Sequence, residues 1–176
     1  MTPIILNQIS ATNFAVDIPD NDYTKGLILS VQGVTLPNVN LLPIDVPLNP
    51  MLRGKVPSSA IEFDPFMLRI LVDENLESYM GVYQWMLGTV DYVEANSITS
   101  REKDQTISVH ILDNSMKKTI ATFHYYGAFP TNLGEVELMY TNDTDEVVTC
   151  MVTFAFKYME IERDGKIIRP ALRKKN

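Results

Sequence analysis

Five prolines fall within "PNVNLLPIDVPLNPMLRGKVP" (37–57), at positions 37, 43, 47, 50 and 57. Proline has no N–H to give to a β-ladder, so this stretch is excluded from the interior of a sheet. It must run as an extended excursion or as the two arms of a hairpin that projects from the body. A connection of this length is uncommon in a compact domain unless it has a function or a partner that orders it. The rest of the chain has to build the core without it.

That remainder is mostly of period two, the pattern of strands with one face buried. "NFAVDI" (13–18) is followed by "GLILSVQGVTL" (26–36), where Leu27, Leu29 and Val31 share one face and Ile28 and Ser30 the other. "AIEFDPFMLRILVD" (60–73) is apolar on both faces except at Arg69 and reads as a central strand. "TISVHILD" (106–113), "TIATFHYYGAF" (119–129) and "EVELMY" (135–140) continue the pattern, the last two separated by a Pro-Thr-Asn-Leu-Gly turn. After the acidic turn "TNDTDE" (141–146), "VVTCMVTFAFKYMEI" (147–161) places Val148, Cys150, Val152, Phe154, Phe156 and Tyr158 on one inward face. Asp-Gly in "RDGK" (163–166) is a hairpin signal, from which "IIRPAL" pairs back.

The period changes only in "ENLESYMGVYQWMLGTV" (74–90). Leu76, Tyr79, Met80, Tyr83, Met86, Leu87 and Val90 recur there at helical spacing. Asp73 suits the N-cap, Glu74 and Glu77 the first turn, and Gly88 the stop. Trp85 lies off that stripe, which points it away from the helix's own sheet and toward a neighbouring subunit. Seven or so strands and one helix predict a mainly β chain, an antiparallel sandwich or barrel with one flanking α-helix. The expected organisation is a single β domain over 1–161, carrying the arm 37–57, and a basic C-terminal extension over 162–176.

Charge is uneven along the chain. The net charge is -7, but residues 162–176 hold six basic and two acidic residues, so the tail carries +4 and residues 1–161 carry -11. An acidic body argues against a tight grip on nucleic acid, which needs Lys and Arg on the contacting face. No apolar run approaches the ~20 residues that span a bilayer, so no membrane partner is expected, and "MTPIILNQIS" has no basic region typical of a secretory signal. The one cysteine, Cys150, leaves no internal disulfide and no cysteine-clustered zinc site, and suggests folding in an intracellular compartment.

The residues offer little chemistry. His110 and His124 sit in strand patterns on positions that alternate with the apolar face, and read as solvent-face or interface residues rather than a metal pair. Cys150 falls on a buried face, where a thiol behaves as a small hydrophobe. Thr131 and Asn132 in the Pro-Thr-Asn turn have no visible catalytic partner, and the scattered glycines form no phosphate-binding loop. No catalytic residue, cofactor or metal is expected. The arm is more informative: Met51, Leu52, Arg53, Gly54 and Lys55 at its centre combine exposed apolar and basic side chains, which suits docking on another chain.

Two segments together resemble a known family. "FPTNLGEVELMYTNDTDEVVTCMVTFAFKYMEI" and "FDPFMLRILVDENLESYMGVYQWM" are similar to the C-terminal and middle segments of the tail tube proteins of contractile-tailed, T-even-like bacteriophages. The resemblance implies a phage tail-tube-like β-sandwich or barrel whose copies form stacked, hexameric rings around a channel for DNA. It makes 37–57 the loop or hairpin that meets the adjacent ring, and Glu135 and Glu137 candidates for surface or lumen charge that repels passing DNA. Partners would be further copies of the chain and the tail sheath, baseplate or neck proteins, within a virion tail assembled in the host cytoplasm. The basic segment after Ile161 runs past the point where tube subunits tend to stop, which suits a relative at the tube end: a baseplate initiator or a terminator. A reading from another class is a small-ligand β-barrel with Tyr125, Tyr126, Phe154 and Phe156 around its cavity; a hydrolase on a β-scaffold is a third.

Overall fold

The computed structural model describes residues 8–19, 24, 30–97, 105–140 and 147–169. Leu27, Ile28 and Leu29, the acidic turn 141–146 and the basic residues after 169 lie outside the described residues. The described elements are mostly antiparallel β. They comprise β1 (Phe14–Asp17), β2 (Val31–Val34), β3 (Val39–Asn49), β4 (Leu52–Phe63), β5 (Phe66–Leu71), α1 (Glu77–Thr89), β6 (Val90–Asp91), β7 (Asn96–Ser97), β8 (Gln105–Leu112), β9 (Thr119–Leu133), β10 (Thr149–Ala155), β11 (Tyr158–Arg163) and β12 (Lys166–Ile167).

The body is one continuous sheet in the order β1-β8-β9-β10-β5-β2, with β11 also on β9 and β12 on β11. Its pivot is β9. The first part of this strand pairs with β8 and β11, and the end, Phe129–Leu133, pairs with β10. Between the two, Gly127 has φ 65, a conformation that L side chains rarely adopt, and a Cβ there would come within 2.7 Å of the Lys157 side chain. Strands that bend in this way make the corners at which one sheet folds over itself. The partner strand breaks at the same level: β10 ends at Ala155, β11 begins at Tyr158, and the Lys157 N–H donates to the Tyr126 carbonyl at 2.9 Å.

The core fills that fold. Phe66, Leu68 and Ile70 of β5 and Cys150, Val152 and Phe154 of β10 face Ile107 and Val109 of β8 and Tyr125 of β9. Phe66 stacks on Tyr125 with ring centroids 4.3 Å apart and on Phe154 at 5.3 Å. Helix α1 covers this cluster with Ser78, Val82 and Trp85. Trp85 is only 2% exposed and lies 5.6 Å from the Phe154 ring, so the expected subunit contact at Trp85 is corrected: it is a core residue. The expected stripe is rotated, with Met80 and Tyr83 left exposed. The helix carries large apolar side chains on most sides, so spacing alone could not choose its buried face. The N-cap position is Leu76, with φ 57, not Asp73 as expected, but the Asp73 carboxylate still accepts the first helical N–H groups, Glu77 and Ser78, both at 3.0 Å.

Three further expectations change. "AIEFDPFMLRILVD" is two strands, because Asp64-Pro65 interrupts it; β4 belongs to the arm and only β5 is central, between β10 and β2. The Pro-Thr-Asn-Leu turn is strand: β9 runs through Leu133, with Pro130 accommodated beside a bulge in the β9–β10 register. "EVELMY" forms no strand: the last ladder-like contact is the Gly134 N–H to the Met151 carbonyl of β10, after which the chain is irregular. The Asp-Gly hairpin forms as expected, with Asp164 at φ 50 and Gly165 at φ 75 joining β11 to β12. β11 extends to Arg163, so Glu162 and Arg163 lie within a strand.

Trp85→Ala is expected to lower unfolding stability by about 3–5 kcal/mol in urea titrations, the range for emptying a large core site; an exposed residue would change it by less than about 0.5 kcal/mol. Asp73 gives a pH signature. Hydrogen bonds from the Ser78 and Glu77 N–H groups hold its carboxyl below the usual aspartate range. Its stabilisation is therefore complete above about pH 4 and lost as pH falls through the lowered folded value. Thermal melts of the protein and of Asp73→Ala should differ above pH 4 and converge in stronger acid.

Candidate functional site

The arm is the feature that the body does not absorb. β3 and β4 form a two-stranded sheet of their own, with Ile44 opposite Val56, Asp45 opposite Lys55 and Pro47 opposite Arg53. A lone two-stranded ribbon is marginal in water, so its root has to be fixed. Asp64 does this: its carboxylate accepts the side-chain amides of Asn38 at 3.0 Å and Asn40 at 3.1 Å, and its N–H donates to the Asn38 carbonyl. Phe63 adds a ring contact to Phe156 at 5.7 Å.

The two faces of the arm differ. In the stretch where the register is continuous, Pro43, Asp45 and Pro47 of β3 share a face with Arg53, Lys55 and Pro57 of β4. The other face is apolar: Ile44, Leu48, Leu52 and Val56 are all exposed, Leu48 at 65%. Gly54 is half-buried because the Leu48 side chain lies across it; a Cβ at 54 would sit 2.7 Å from Leu48 Cδ1. Met51, at the tip, is 100% exposed. The sequence reading found the tip but missed Ile44, Leu48 and Val56, whose alternation across the prolines marked an apolar face. Uncovered apolar surface of this kind is unusual on a protein that acts as a monomer.

Glu135 and Glu137 are exposed on the irregular segment that leaves β9, followed by exposed Leu138, Met139 and Tyr140. Val136 packs against the core between them. The histidines lie on the outer face of the β1-β8-β9-β11 sheet. His124 Nδ1 is 2.9 Å from Ser108 Oγ and its Nε2 3.1 Å from Glu162 Oε2, while His110 Nδ1 is 2.9 Å from Thr122 Oγ1. These are cross-strand polar pairs. Cys150 is buried, with its S–H 3.2 Å from the Gly134 carbonyl, and burial raises its pKa, which keeps the thiol protonated.

The ligand-barrel arrangement is not formed. Tyr125 and Tyr126 are successive strand residues and point to opposite faces. Tyr125 stacks inside on Phe66, with Phe154 and Phe156 beside it, whereas Tyr126 stacks outside on Tyr158 at 4.6 Å. The aromatic centre is packed ring against ring.

Comparison with known proteins places this folded-over antiparallel sheet, with one covering helix and a projecting ribbon, among tail tube proteins. The chain belongs to the phage tail tube protein family, which matches residues 2–162. It is 36% identical over 166 residues to the tail tube terminator protein of Enterobacteria phage T4, covering 93% of this chain and 94% of that one. The fold is also similar to the cryo-EM structure of the anti-feeding prophage cap, the tube terminating cap (TM-score 0.66, 14% identity, 93% of this chain and 96% of the other). A chain from the cryo-EM structure of the PVC extracellular contractile injection system, in its sheath/tube terminator in the extended state, matches with TM-score 0.64 and 14% identity over 90% of this chain and 99% of its own.

Because the Met51 side chain is fully exposed, Met51→Asp is expected to leave stability within about 0.5 kcal/mol of the parent. Denaturant melts of dilute protein check this; a loss above about 2 kcal/mol would mean that the tip packs on its own body.

Proposed function

We propose that the chain is a structural ring subunit that terminates the tail tube of a contractile-tailed phage, and that it turns over no substrate. The observation that carries this reading is the 36% identity to the T4 tail tube terminator across 93% of this chain. It favours the tube end over the tube wall, the leading reading from sequence. The arm supports self-association: a ribbon with an exposed apolar face and a fixed root needs a neighbour to cover it. Met51, Leu52, Arg53, Gly54 and Lys55 are the contact residues of this reading. Copies of the chain form a ring of about six, which docks on the last ring of the tube and meets sheath or neck proteins, after assembly in the host cytoplasm. DNA passes through without specific binding, and the acidic balance of the body, -11 over residues 1–161, suits a wall that does not retain it.

Light scattering and negative-stain images of the purified chain, alone and mixed with tail tubes of the same phage, test this. The expected result is a ring of about six copies found at one end of each tube. A chain that stays monomeric at high concentration and ignores tubes would overturn the proposal. Copolymerisation into long tubes would make it a wall subunit instead.

A further inference from the structure

The arm is a ribbon with two open edges, but the prolines make those edges unequal. Pro43 and Pro57 are directly opposed across the ribbon, and neither can give a ladder bond, so this is a non-hydrogen-bonded pair. Asp45–Lys55 and Pro47–Arg53 follow in the same phase, two and four residues along. The backbone groups of all these residues therefore point outward. On β3 the outward positions are Pro43, Asp45 and Pro47, of which only Asp45 has an N–H to offer; this edge is blunted. On β4 they include Arg53 and Lys55, each with a free N–H and C=O. The stretch Leu52–Val56 is the edge that can accept another strand.

The same chain carries a segment of strand-like sequence that joins no sheet among the described residues. Glu135–Tyr140 is strand-forming in sequence, contains no proline, and belongs to no sheet. Glu135 and Glu137 alternate with Val136, Leu138 and Tyr140, just as Arg53 and Lys55 alternate with Leu52, Gly54 and Val56. None of the four charged side chains has an ion pair among the described residues. Leu138 is 80% exposed and Tyr140 fully so.

We propose that Glu135–Tyr140 of one copy adds as a strand to the Leu52–Val56 edge of a second copy, setting Glu135 and Glu137 against Arg53 and Lys55. Leu138 and Tyr140 then extend the apolar face of Leu48, Leu52 and Val56. The alternation matches in either strand direction, because the period of a strand is two. Charge selects the acidic segment for the basic edge, and main-chain hydrogen bonds hold it there. The inference rests on the self-association proposed above and specifies which surfaces meet.

Complementary charge reversal in the full chain tests it. Arg53→Glu with Lys55→Glu makes arm and segment both acidic, and Glu135→Lys with Glu137→Lys makes both basic. Each double variant alone should associate roughly 30-fold more weakly in sedimentation, since two attractive cross-strand pairs become repulsive. An equimolar mixture of the two should regain near-parent association, each copy's arm now meeting an opposite segment. Hydrogen exchange should show the 135–140 amides protected in the parent assembly and in the mixture, and unprotected in each variant alone. Variants that associate like the parent, or a mixture that fails to recover while each variant keeps the parent's circular dichroism, would overturn the pairing but leave ring formation standing. A parent chain that does not self-associate at all would overturn both.

Discussion

The stack of Phe66 on Tyr125 is the contact on which the rest of the structure depends. The two rings come from β5 and β9, which are not neighbours in the sheet, and they meet only because β9 bends at Gly127 and folds its two halves toward each other. Remove the bend and the sheet opens flat, with Phe66, Leu68, Ile70, Val152 and Phe154 losing their cover from Ile107, Val109 and Tyr125. Everything else is arranged around that joint. Trp85 seals the cluster over Phe154, Phe156 rests edge-on against Tyr125, and through Phe63 the same ring group reaches the root of the arm. Offset-stacked and edge-on aromatic geometries add directional preference to the burial of large surfaces, so the joint sets a shape as well as a stability.

Much of this was legible in the sequence, for identifiable reasons. The prolines of 37–57 excluded a central strand and the structure gives a ribbon. Asp164-Gly165 specified a tight hairpin, and Cys150, Val152 and Phe154 alternate inward as their spacing says, but the expected inward face does not reach Tyr158, which lies past the break after Ala155 and is exposed. The failures share a cause: each depended on what lies across from the segment. Pro130 reads as a turn residue until a bulge in β9 itself, at Thr131 opposite Thr153 and Phe154, makes room for it. "EVELMY" has strand propensity but no ladder to join, and propensity does not supply hydrogen-bond partners. Trp85 was misplaced because α1 is apolar on most sides, so the sheet beneath it chose the face. The lesson of Tyr125 and Tyr126 is simpler, since period two alone forbids both from lining one cavity.

The family membership was visible in two stretches, one spanning β5 and α1 and one spanning the end of β9, β10 and most of β11. These pieces supply Phe66, Trp85, Phe154 and Phe156 to the aromatic joint, while Tyr125 and the bend at Gly127 lie just before the second stretch. The contact surfaces were less visible: the tip of the arm stood out by composition, its apolar face did not. A face that waits for a partner obeys the same alternation as a buried strand, and only the empty space around it tells the two apart.

One consequence follows from the unequal edges of the arm. A ribbon blunted on β3 and open on β4, paired as proposed with a different patch on its neighbour, gives a head-to-tail contact wherever two copies do not exchange arms reciprocally. Such contacts either close into a ring or run on as a helical fibre, and the outcome is decided by the rotation between the two patches within one subunit. Here both patches are moored beside the same strand. The arm springs from β5 and the Glu135–Tyr140 segment from the end of β9, and β10 lies between them. The dihedral relation across that single central strand would then act as the goniometer of the assembly, translating the corner at Gly127 into the number of copies needed to complete a turn.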